Sequence, residues 1–241
     1  MEYAIGRGIN YLNWCGHPDG LSQAVAGLGK DRGKVVVAAQ FQARTARTAA
    51  RELDRLLNAL RTDYLDILTF YYVESEQEWE ELLSPKGSYD YVRGQKEQGR
   101  VRLLGLTSHQ RKLAARWAQT GRLDMLMIRY NAAHRGAEKD VFPVTSSLGM
   151  PVVTFTGLRW GALLKSTPED PPGFQPPKPA DCYRFCLVNP AVTVALTAPG
   201  NRAKLDHDLA LLDDWRPPPR EDLESMRAHG DRVHRHASEF W

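Results

Sequence analysis

The sequence predicts an α/β fold built around a parallel β-sheet, and three observations support this prediction. Seven short runs of Val, Ile, Leu, Tyr and Phe lack polar alternation, which is typical of strands that are buried on both faces. Amphipathic segments with helical spacing separate these runs, as in successive β-α-β units. The chain of 241 residues is long enough for a large core and falls in the range of a single α/β-barrel domain.

The predicted strands alternate regularly with the predicted helices along the chain. The strands are expected at 9–14, 34–41, 64–72, 101–108, 125–131, 151–157 and 192–200. The helices are expected at 21–31, 45–63, 76–99 with a break near Pro85, 109–121, 138–149, 179–189 and 202–214. The helix at 45–63 has the clearest pattern, because four leucines between Leu53 and Leu60 lie on one face.

The number of strands favours a barrel that lacks its first strand. A closed parallel barrel of the usual kind has eight strands, and the sequence shows seven. Residues 2–7 look like the end of a helix, so the gap precedes the strand at 9–14. We therefore predict a (β/α)8 TIM barrel in a single domain over 1–241, with its first strand missing. An open doubly wound sheet, the alternative, would not require that strand. The exposed strand edge of such a barrel predicts homodimers or poor solubility.

Composition excludes several classes of protein. The net charge of +3 is small and gives no clustered basic stripe, so we expect no nucleic-acid partner. No apolar run reaches about 18 residues and no secretory signal is visible, so we expect no membrane partner and a cytoplasmic location. Two segments stand apart from the barrel pattern. Residues 165–181 form a proline-rich loop, and residues 217–241 form a C-terminal extension with a basic helix.

Six segments resemble, in order and at plausible spacing, segments of the aldo-keto reductases. They are GINYLNWCG, RLLNALRTDYLDILTFYYV, KEQGRVRLLGLTSH, MIRYN, VVTFTGLRWGALL and LTAPGNRAKLDHDL, and they extend from Gly8 to about Asp213. The resemblance implies a (β/α)8 barrel that binds NADPH at the C-terminal ends of its strands. It also implies reduction of a small-molecule carbonyl substrate.

The four catalytic residues of that family are replaced in this chain. The family uses a tyrosine as acid, an Asp–Lys pair that lowers the pKa of this tyrosine, and a histidine that orients the substrate. The matching positions hold Asn13 for the aspartate, Pro18 with His17 beside it for the tyrosine, Gln40 for the lysine and Tyr71 for the histidine. Asn13 and Gln40 are both neutral amides and are predicted to hydrogen-bond to each other. We therefore expect ordinary carbonyl reduction to be absent or very low.

Three groups near these positions are alternative candidates for chemistry. His17 has a side chain that titrates near neutral pH and suits proton donation, although a loop histidine facing solvent has the same sequence pattern. Tyr71 or Tyr72 would place a phenol in the barrel mouth, and with no matching lysine its pKa is expected to be ordinary. Cys15 is either a nucleophile or, more simply, a small buried thiol.

The resemblance also assigns cofactor contacts. Thr107 and Ser108 match the pair that holds the nicotinamide carboxamide, and both offer hydroxyls. Met127 stands where the family has a glutamine, so one hydrogen bond to the carboxamide is lost. Phe155 matches the tyrosine that stacks on the nicotinamide ring. Arg202 lies at the start of a helix and suits a phosphate, unless it belongs to a solvated basic turn. NADPH binding is expected to be weak or lost.

Two groups of potential metal ligands have simpler explanations. Cys182 and Cys186 are four residues apart on one helix face and are predicted to be core thiols. His229, His234 and His236 belong to the basic C-terminal helix. Because His234 and His236 point to different helix faces, a solvated helix is the better interpretation. No metal is therefore assigned.

Three hypotheses for the function remain open from the sequence. The first is a divergent NADP(H)-dependent oxidoreductase that acts on carbonyl or alcohol groups with other catalytic groups. The second is a non-catalytic barrel that binds a ligand or a partner. The third is an inactive truncated gene product. The partly retained cofactor residues favour the first, whereas the four replacements and the absent strand favour the other two.

Overall fold

The structure of the protein, a computed structural model, describes residues 1–236. In this range seven strands follow one another in one sheet, in the order β1 to β7. The pairs β1–β2, β2–β3, β3–β4 and β6–β7 are parallel. The predicted parallel α/β architecture with seven strands is therefore confirmed. The chain divides into two compact units, Met1–Leu126 and Met127–Trp241.

The strands and helices have the following bounds. The strands are β1 (Tyr11–Trp14), β2 (Val36–Phe41), β3 (Leu65–Phe70), β4 (Val101–Ser108), β5 (Met125–Arg129), β6 (Val152–Phe155) and β7 (Val194–Ala195). The helices are α1 (Glu2–Gly6), α2 (Gly20–Gly27), α3 (Ala46–Leu60), α4 (Glu76–Leu83), α5 (Tyr89–Glu97), α6 (Arg111–Ala118), α7 (Ala137–Asp140), α8 (Phe142–Ser147), α9 (Pro179–Leu187), α10 (Arg202–Asp213) and α11 (Arg220–His236). Short 3-10 helices occupy Gly29–Lys34 and Arg159–Leu164.

The first unit holds β1 to β4 with their helices. Helix α3 begins where the Thr45 hydroxyl accepts the N–H of Thr48, and it ends at Arg61 in the left-handed conformation. Its leucine face is buried, and β3 is buried along its whole length, as the absence of polar alternation predicted. Gly105 lets the Met125 side chain pack closely against the main chain of β4, because a Cβ at position 105 would lie 2.2 Å from the Met125 sulfur.

The second unit holds β6 and β7 and helices α7 to α11. Strand β6 is buried at all four residues, and Cys182 and Cys186 of α9 are buried, which confirms the prediction of core thiols. The strand predicted at 192–200 is much shorter than expected. Only Val194 and Ala195 pair with β6, and the Pro199-Gly200 turn follows before α10 begins.

Other predicted elements agree with the structure at most positions. Residues 2–6 are helical, and the helical segment 76–99 is broken between Leu83 and Tyr89. The proline-rich segment has no helix or strand from 165 to 178, and its last residues begin α9 with Pro179 in the first turn. The predicted extension helix covers 220–236, and residues 237–241 lie outside the described range. Within residues 1–236, no helix is both long and apolar enough to cross a bilayer.

Helix α11 is attached to the proline-rich loop through buried polar contacts. Asp170 of the loop accepts hydrogen bonds at 2.6 Å from the Thr167 N–H and from Arg232 Nε of α11. Burial alone would raise the pKa of Asp170, but these donors lower it to about 2. His229 is fully buried and its Nε2 donates to the Leu163 carbonyl at 2.9 Å. The prediction of a solvated helix is therefore wrong for His229, because one face of α11 packs against the loop.

Candidate active site

A network of neutral side chains joins β1, β2 and β4. Gln40 of β2 is buried, and its Nε2 donates to Asn13 Oδ1 of β1 at 2.9 Å. The Thr107 hydroxyl of β4 donates to Gln40 Oε1 at 3.3 Å. The predicted amide–amide hydrogen bond is confirmed, and Thr107 is an additional member. The three side chains are neutral, so this network lacks the ammonium with which a buried lysine lowers the pKa of a neighbouring phenol.

Parallel pairing brings these three side chains together. Asn13 pairs with Ala38, Gln40 pairs with Thr69, and Thr69 pairs in turn with Gly105. Each of the three network residues lies close to the carboxyl end of its strand. In parallel β/α folds this edge of the sheet carries the functional groups. The network therefore lies where an active site is expected.

His17 and Cys15 lie in the loop after β1, and both are exposed. The loop is held by its main chain, because Trp14 Nε1 donates to the His17 carbonyl at 2.7 Å. The prediction that Cys15 is a buried thiol is wrong. Partial desolvation and the Asp19 carboxylate raise the pKa of Cys15, which disfavours the thiolate that a nucleophile requires.

Tyr71 and Tyr72 follow β3 in a constrained turn. Tyr72 has a φ of 45°, a left-handed conformation that costs a non-glycine residue roughly 1–3 kcal/mol. The turn is held in place because Arg44 donates to the carbonyls of both tyrosines and the Val73 N–H donates to the Thr107 carbonyl at 3.0 Å. The two phenol rings lie 4.2 Å apart between centroids.

The pKa of Tyr72 differs from the expected ordinary value. Burial, with smaller contributions from the neighbouring Tyr71 and Glu74, raises the pKa of Tyr72 to about 12. A phenol with a raised pKa is a poorer proton donor near neutral pH than an ordinary one. The expectation of an ordinary pKa for this group was wrong, because it considered the missing lysine and not the burial of the ring.

A histidine–glutamate pair lies beside Tyr72, and the sequence analysis missed it. The His109 ring stacks on Tyr72 with centroids 4.6 Å apart and an angle of 14° between the planes. Glu74 Oε1 accepts from the His109 main-chain N–H at 2.9 Å and lies 3.1 Å from Nδ1 of the same ring. His109 directly follows β4 and Glu74 lies shortly after β3. The signal in the sequence was that both residues follow the carboxyl ends of neighbouring strands.

The second unit holds the remaining cofactor candidates. Met127 of β5 and Phe155 at the end of β6 are both buried, at 7% exposure. Arg202 is exposed and is the first residue of α10. Asn201 caps this helix, because its Oδ1 accepts the N–H of Lys204 at 2.9 Å. A capped helix of 12 residues with an arginine at its start suits a phosphate.

The chain after β6 has an unusual backbone. Thr156, Arg159 and Trp160 have φ values between 51° and 59°, although none of them is glycine. The Arg159 side chain is buried, and burial lowers the pKa of its guanidinium. Trp160 is exposed at 60%. Left-handed residues at the carboxyl end of a strand are typical of functional segments.

A cavity of about 660 Å³ lies in the second unit, away from these candidates. Its walls come from the proline-rich loop, α9, the segment 216–219 and α11, and they include Phe174, Phe185 and Met226. None of the predicted cofactor or catalytic residues lines it. Across residues 1–236, His, Cys, Asp and Glu side chains form no cluster of three that could hold a metal ion.

The strand order and the alternation of strands with helices define the class of the protein as a β/α barrel. The model of the aldo/keto reductase family matches residues 1–213, and the chain belongs to this family. No curated protein sequence matches the chain.

Solved structures of the family show the same fold. The chain is similar to the aldo-keto reductase AKR11C1 from Bacillus halodurans in its holo form, with a TM-score of 0.78 and 16% identity over 95% of this chain and 85% of that one. It is also similar to an aldo-keto reductase from Klebsiella pneumoniae in complex with NADPH, with a TM-score of 0.75 and 17% identity over 95% and 83% of the two chains. The (β/α)8 fold, with one strand fewer in residues 1–236, is thereby established.

Proposed function

We propose that this protein is an NADP(H)-dependent oxidoreductase of the aldo/keto reductase family that acts on a small-molecule carbonyl or alcohol without the family's catalytic residues. The observation that carries the oxidoreductase class is the family match over residues 1–213. The altered chemistry follows from the network of Gln40, Asn13 and Thr107. It occupies the family's ion-pair positions with paired neutral groups. The site is therefore compatible with a folded barrel, but it cannot activate a tyrosine.

The cost of burying an unpaired charge favours the replacement of both members of the ion pair together. Removing one member of a buried ion pair costs about 3–5 kcal/mol, because the other charge stays buried and unpaired. In this chain both members are amides, and the buried amide of Gln40 is satisfied by Asn13 and Thr107. The proton for any carbonyl reduction must then come from another group, and we expect turnover to be well below that of a family member with all four residues.

The residues at the cofactor positions fit NADPH in part. When bound, this cofactor supplies the hydride. Phe155 offers an aromatic face, the Ser108 hydroxyl lies at the end of β4, and Arg202 offers a cation at a helix start. Met127 cannot make the hydrogen bond of the family's glutamine. An amide left unpaired on burial costs about 1–3 kcal/mol, which weakens binding roughly tenfold to a hundredfold.

A cytoplasmic location forms part of this proposal. All three cysteines are free. Free thiols, including two buried neighbours on one helix, are compatible with a reducing compartment. A reduced nicotinamide cofactor and a small carbonyl compound are the proposed binding partners.

A non-catalytic barrel is the second candidate. It is favoured by the way in which the amides of Gln40 and Asn13 bond to each other and to Thr107 inside the chain. A buried network of this kind serves a structural purpose without any ligand. In that case NADPH would bind without turnover, or a different ligand would bind.

A fluorescence titration with NADPH tests the proposal. The wild-type protein is expected to bind weakly, and Arg202→Ala is expected to bind more weakly because it removes a phosphate contact. Arg220→Ala is a matched control, since Arg220 is exposed on α11 and pairs with Glu224 at 2.7 Å. If the wild type does not bind, or if Arg202→Ala binds as well as Arg220→Ala, the assignment of the cofactor site is wrong.

A further inference from the structure

We propose that His109, positioned by Glu74, is the proton donor of this site and replaces the tyrosine that the family uses. This inference rests on the proposed oxidoreductase function, and it assigns the step that the neutral network leaves without an acid. All of the contacts that carry it lie within the first unit.

The carboxylate of Glu74 fixes the orientation of His109. Its Oε1 accepts from the His109 main-chain N–H at 2.9 Å and lies 3.1 Å from Nδ1, while Oε2 lies 3.2 Å from the same N–H. Nδ1 faces the carboxylate of Glu74, so we assign proton exchange with a ligand to the other ring nitrogen, Nε2. An acidic group that orients a histidine in this way is a recurring arrangement in general acid–base catalysis.

Stacked rings link His109, through Tyr72, to Tyr71. Tyr71 stands where the family has its substrate-orienting histidine, and its ring lies 4.2 Å from that of Tyr72. Tyr72 in turn stacks on His109 at 4.6 Å. His109 also directly follows Ser108, which matches the family's carboxamide-holding pair. The side chain of His109 is 22% exposed, so it is accessible to a small molecule.

Several hydrogen bonds hold the turn that carries these rings. Tyr72 is held in a left-handed conformation by Arg44, which donates to the carbonyls of Tyr71 and Tyr72. Glu78 accepts the N–H groups of Glu74 and Ser75, which fixes the segment that carries the carboxylate. A strained conformation that several contacts maintain is typical of a functional position.

The proposed step balances as follows. The carbonyl carbon accepts a hydride from the reduced nicotinamide, and the C=O π electrons move to the oxygen. This oxygen takes the proton from Nε2 of the His109 imidazolium as the N–H bond breaks. The carbonyl is reduced to an alcohol, the nicotinamide is oxidised, and the neutral imidazole regains a proton from water. The titratable groups close to the ring stack within residues 1–126 include Glu74, Tyr71, Tyr72 and Cys15.

Two variants with matched controls test this step. His109→Phe keeps a ring against Tyr72 and removes the proton, and Glu74→Gln removes the charge that orients the ring. The controls are His207→Phe on α10, where the histidine is exposed, and Glu81→Gln on α4, an exposed carboxylate. NADPH affinity is measured first for every protein, by fluorescence titration. NADPH oxidation with a panel of aldehydes and quinones is then followed at one pH for every protein.

The expected result separates binding from proton transfer. NADPH affinity stays within about twofold in all variants, whereas kcat falls at least about a hundredfold in His109→Phe and less in Glu74→Gln. The ¹⁵N NMR spectrum gives a readout without cofactor. The neutral His109 ring carries its proton on Nδ1 in the wild type, and the Glu74→Gln change shifts it toward Nε2.

Several outcomes would overturn the proposal. A wild type that binds NADPH but reduces no carbonyl in the panel, or a His109→Phe variant that reduces it as fast, would exclude this proton donor and leave the cofactor site intact. A neutral His109 protonated at Nε2 in the wild type would exclude it as well. A wild type that does not bind NADPH would instead refute the proposed function, and the proton donor with it.

Discussion

Introducing a charge into the amide network tests the energetic argument most directly. Gln40→Lys places an ammonium at a position that is 2% exposed, where Gln40 Nε2 now donates to Asn13 Oδ1 at 2.9 Å. The amide of Asn13 cannot neutralise this charge. A buried charge without a partner costs about 3–5 kcal/mol. The second change, Asn13→Asp, supplies the missing carboxylate on the neighbouring strand.

The double variant is expected to recover most of this loss. At a separation near 2.9 Å and an effective dielectric constant of about 20, two opposite charges attract by roughly 5–6 kcal/mol before desolvation is subtracted. The assay is equilibrium unfolding in urea for the wild type, both single variants and the double variant. With a slope of about 3 kcal/mol per M, a loss of about 4 kcal/mol lowers the midpoint by more than about 1 M. A Gln40→Lys midpoint within about 0.3 M of the wild type, or a double variant no more stable than Gln40→Lys, would refute the reasoning.

Three further predictions concern binding, pH dependence and packing. Met127→Gln is expected to tighten NADPH binding roughly tenfold to a hundredfold, because it restores a hydrogen bond to the carboxamide. Isothermal calorimetry measures the affinity, and an unchanged affinity would contradict the assignment of position 127 to the carboxamide. The pKa of Asp170 is lowered to about 2 in the folded protein, so the stability it contributes is present above about pH 4 and is lost as the pH falls toward 2. Asp170→Asn should therefore lower the urea midpoint at neutral pH and lower it less near pH 3, and an equal effect at both pH values would count against this. Gly105→Ala should lower the free energy of unfolding by about 1–3 kcal/mol, because the new Cβ would lie 2.2 Å from the Met125 sulfur. The double variant with Met125→Ala should relieve part of this loss.

The sequence predicted the sheet well because burial on both faces leaves a direct pattern in the strands. Strand β3 is buried at every residue, and its apolar run shows this without tertiary information. The hydrogen bond between Asn13 and Gln40 was also predictable, since two amides at the positions of an ion pair have few other ways to be satisfied. Strand β7 was predicted too long because the apolar run at 192–200 continues into a turn that the pattern does not distinguish.

The residues that were predicted wrongly depend on contacts distant in sequence. The pairing of Glu74 with His109 joins residues that are 35 positions apart, and neither has a distinctive local pattern. His229 is buried because the proline-rich loop folds against one face of α11, which charge patterning along the helix does not reveal. The pKa of Tyr72 likewise depends mainly on burial of its ring, which the local sequence does not reveal, and less on its sequence neighbours Tyr71 and Glu74.

Helix α11 affects how the protein should be shortened for expression or fusion. The family model ends at residue 213, which would seem a natural place to cut the chain. A cut there would remove Arg232 from Asp170, whose side chain is 8% exposed, and would remove the His229 donor from the Leu163 carbonyl. The proline-rich loop would then hold an uncompensated carboxylate and an unsatisfied carbonyl in positions that α11 had covered. The smallest autonomous piece of this protein therefore extends beyond its recognisable family region and includes α11.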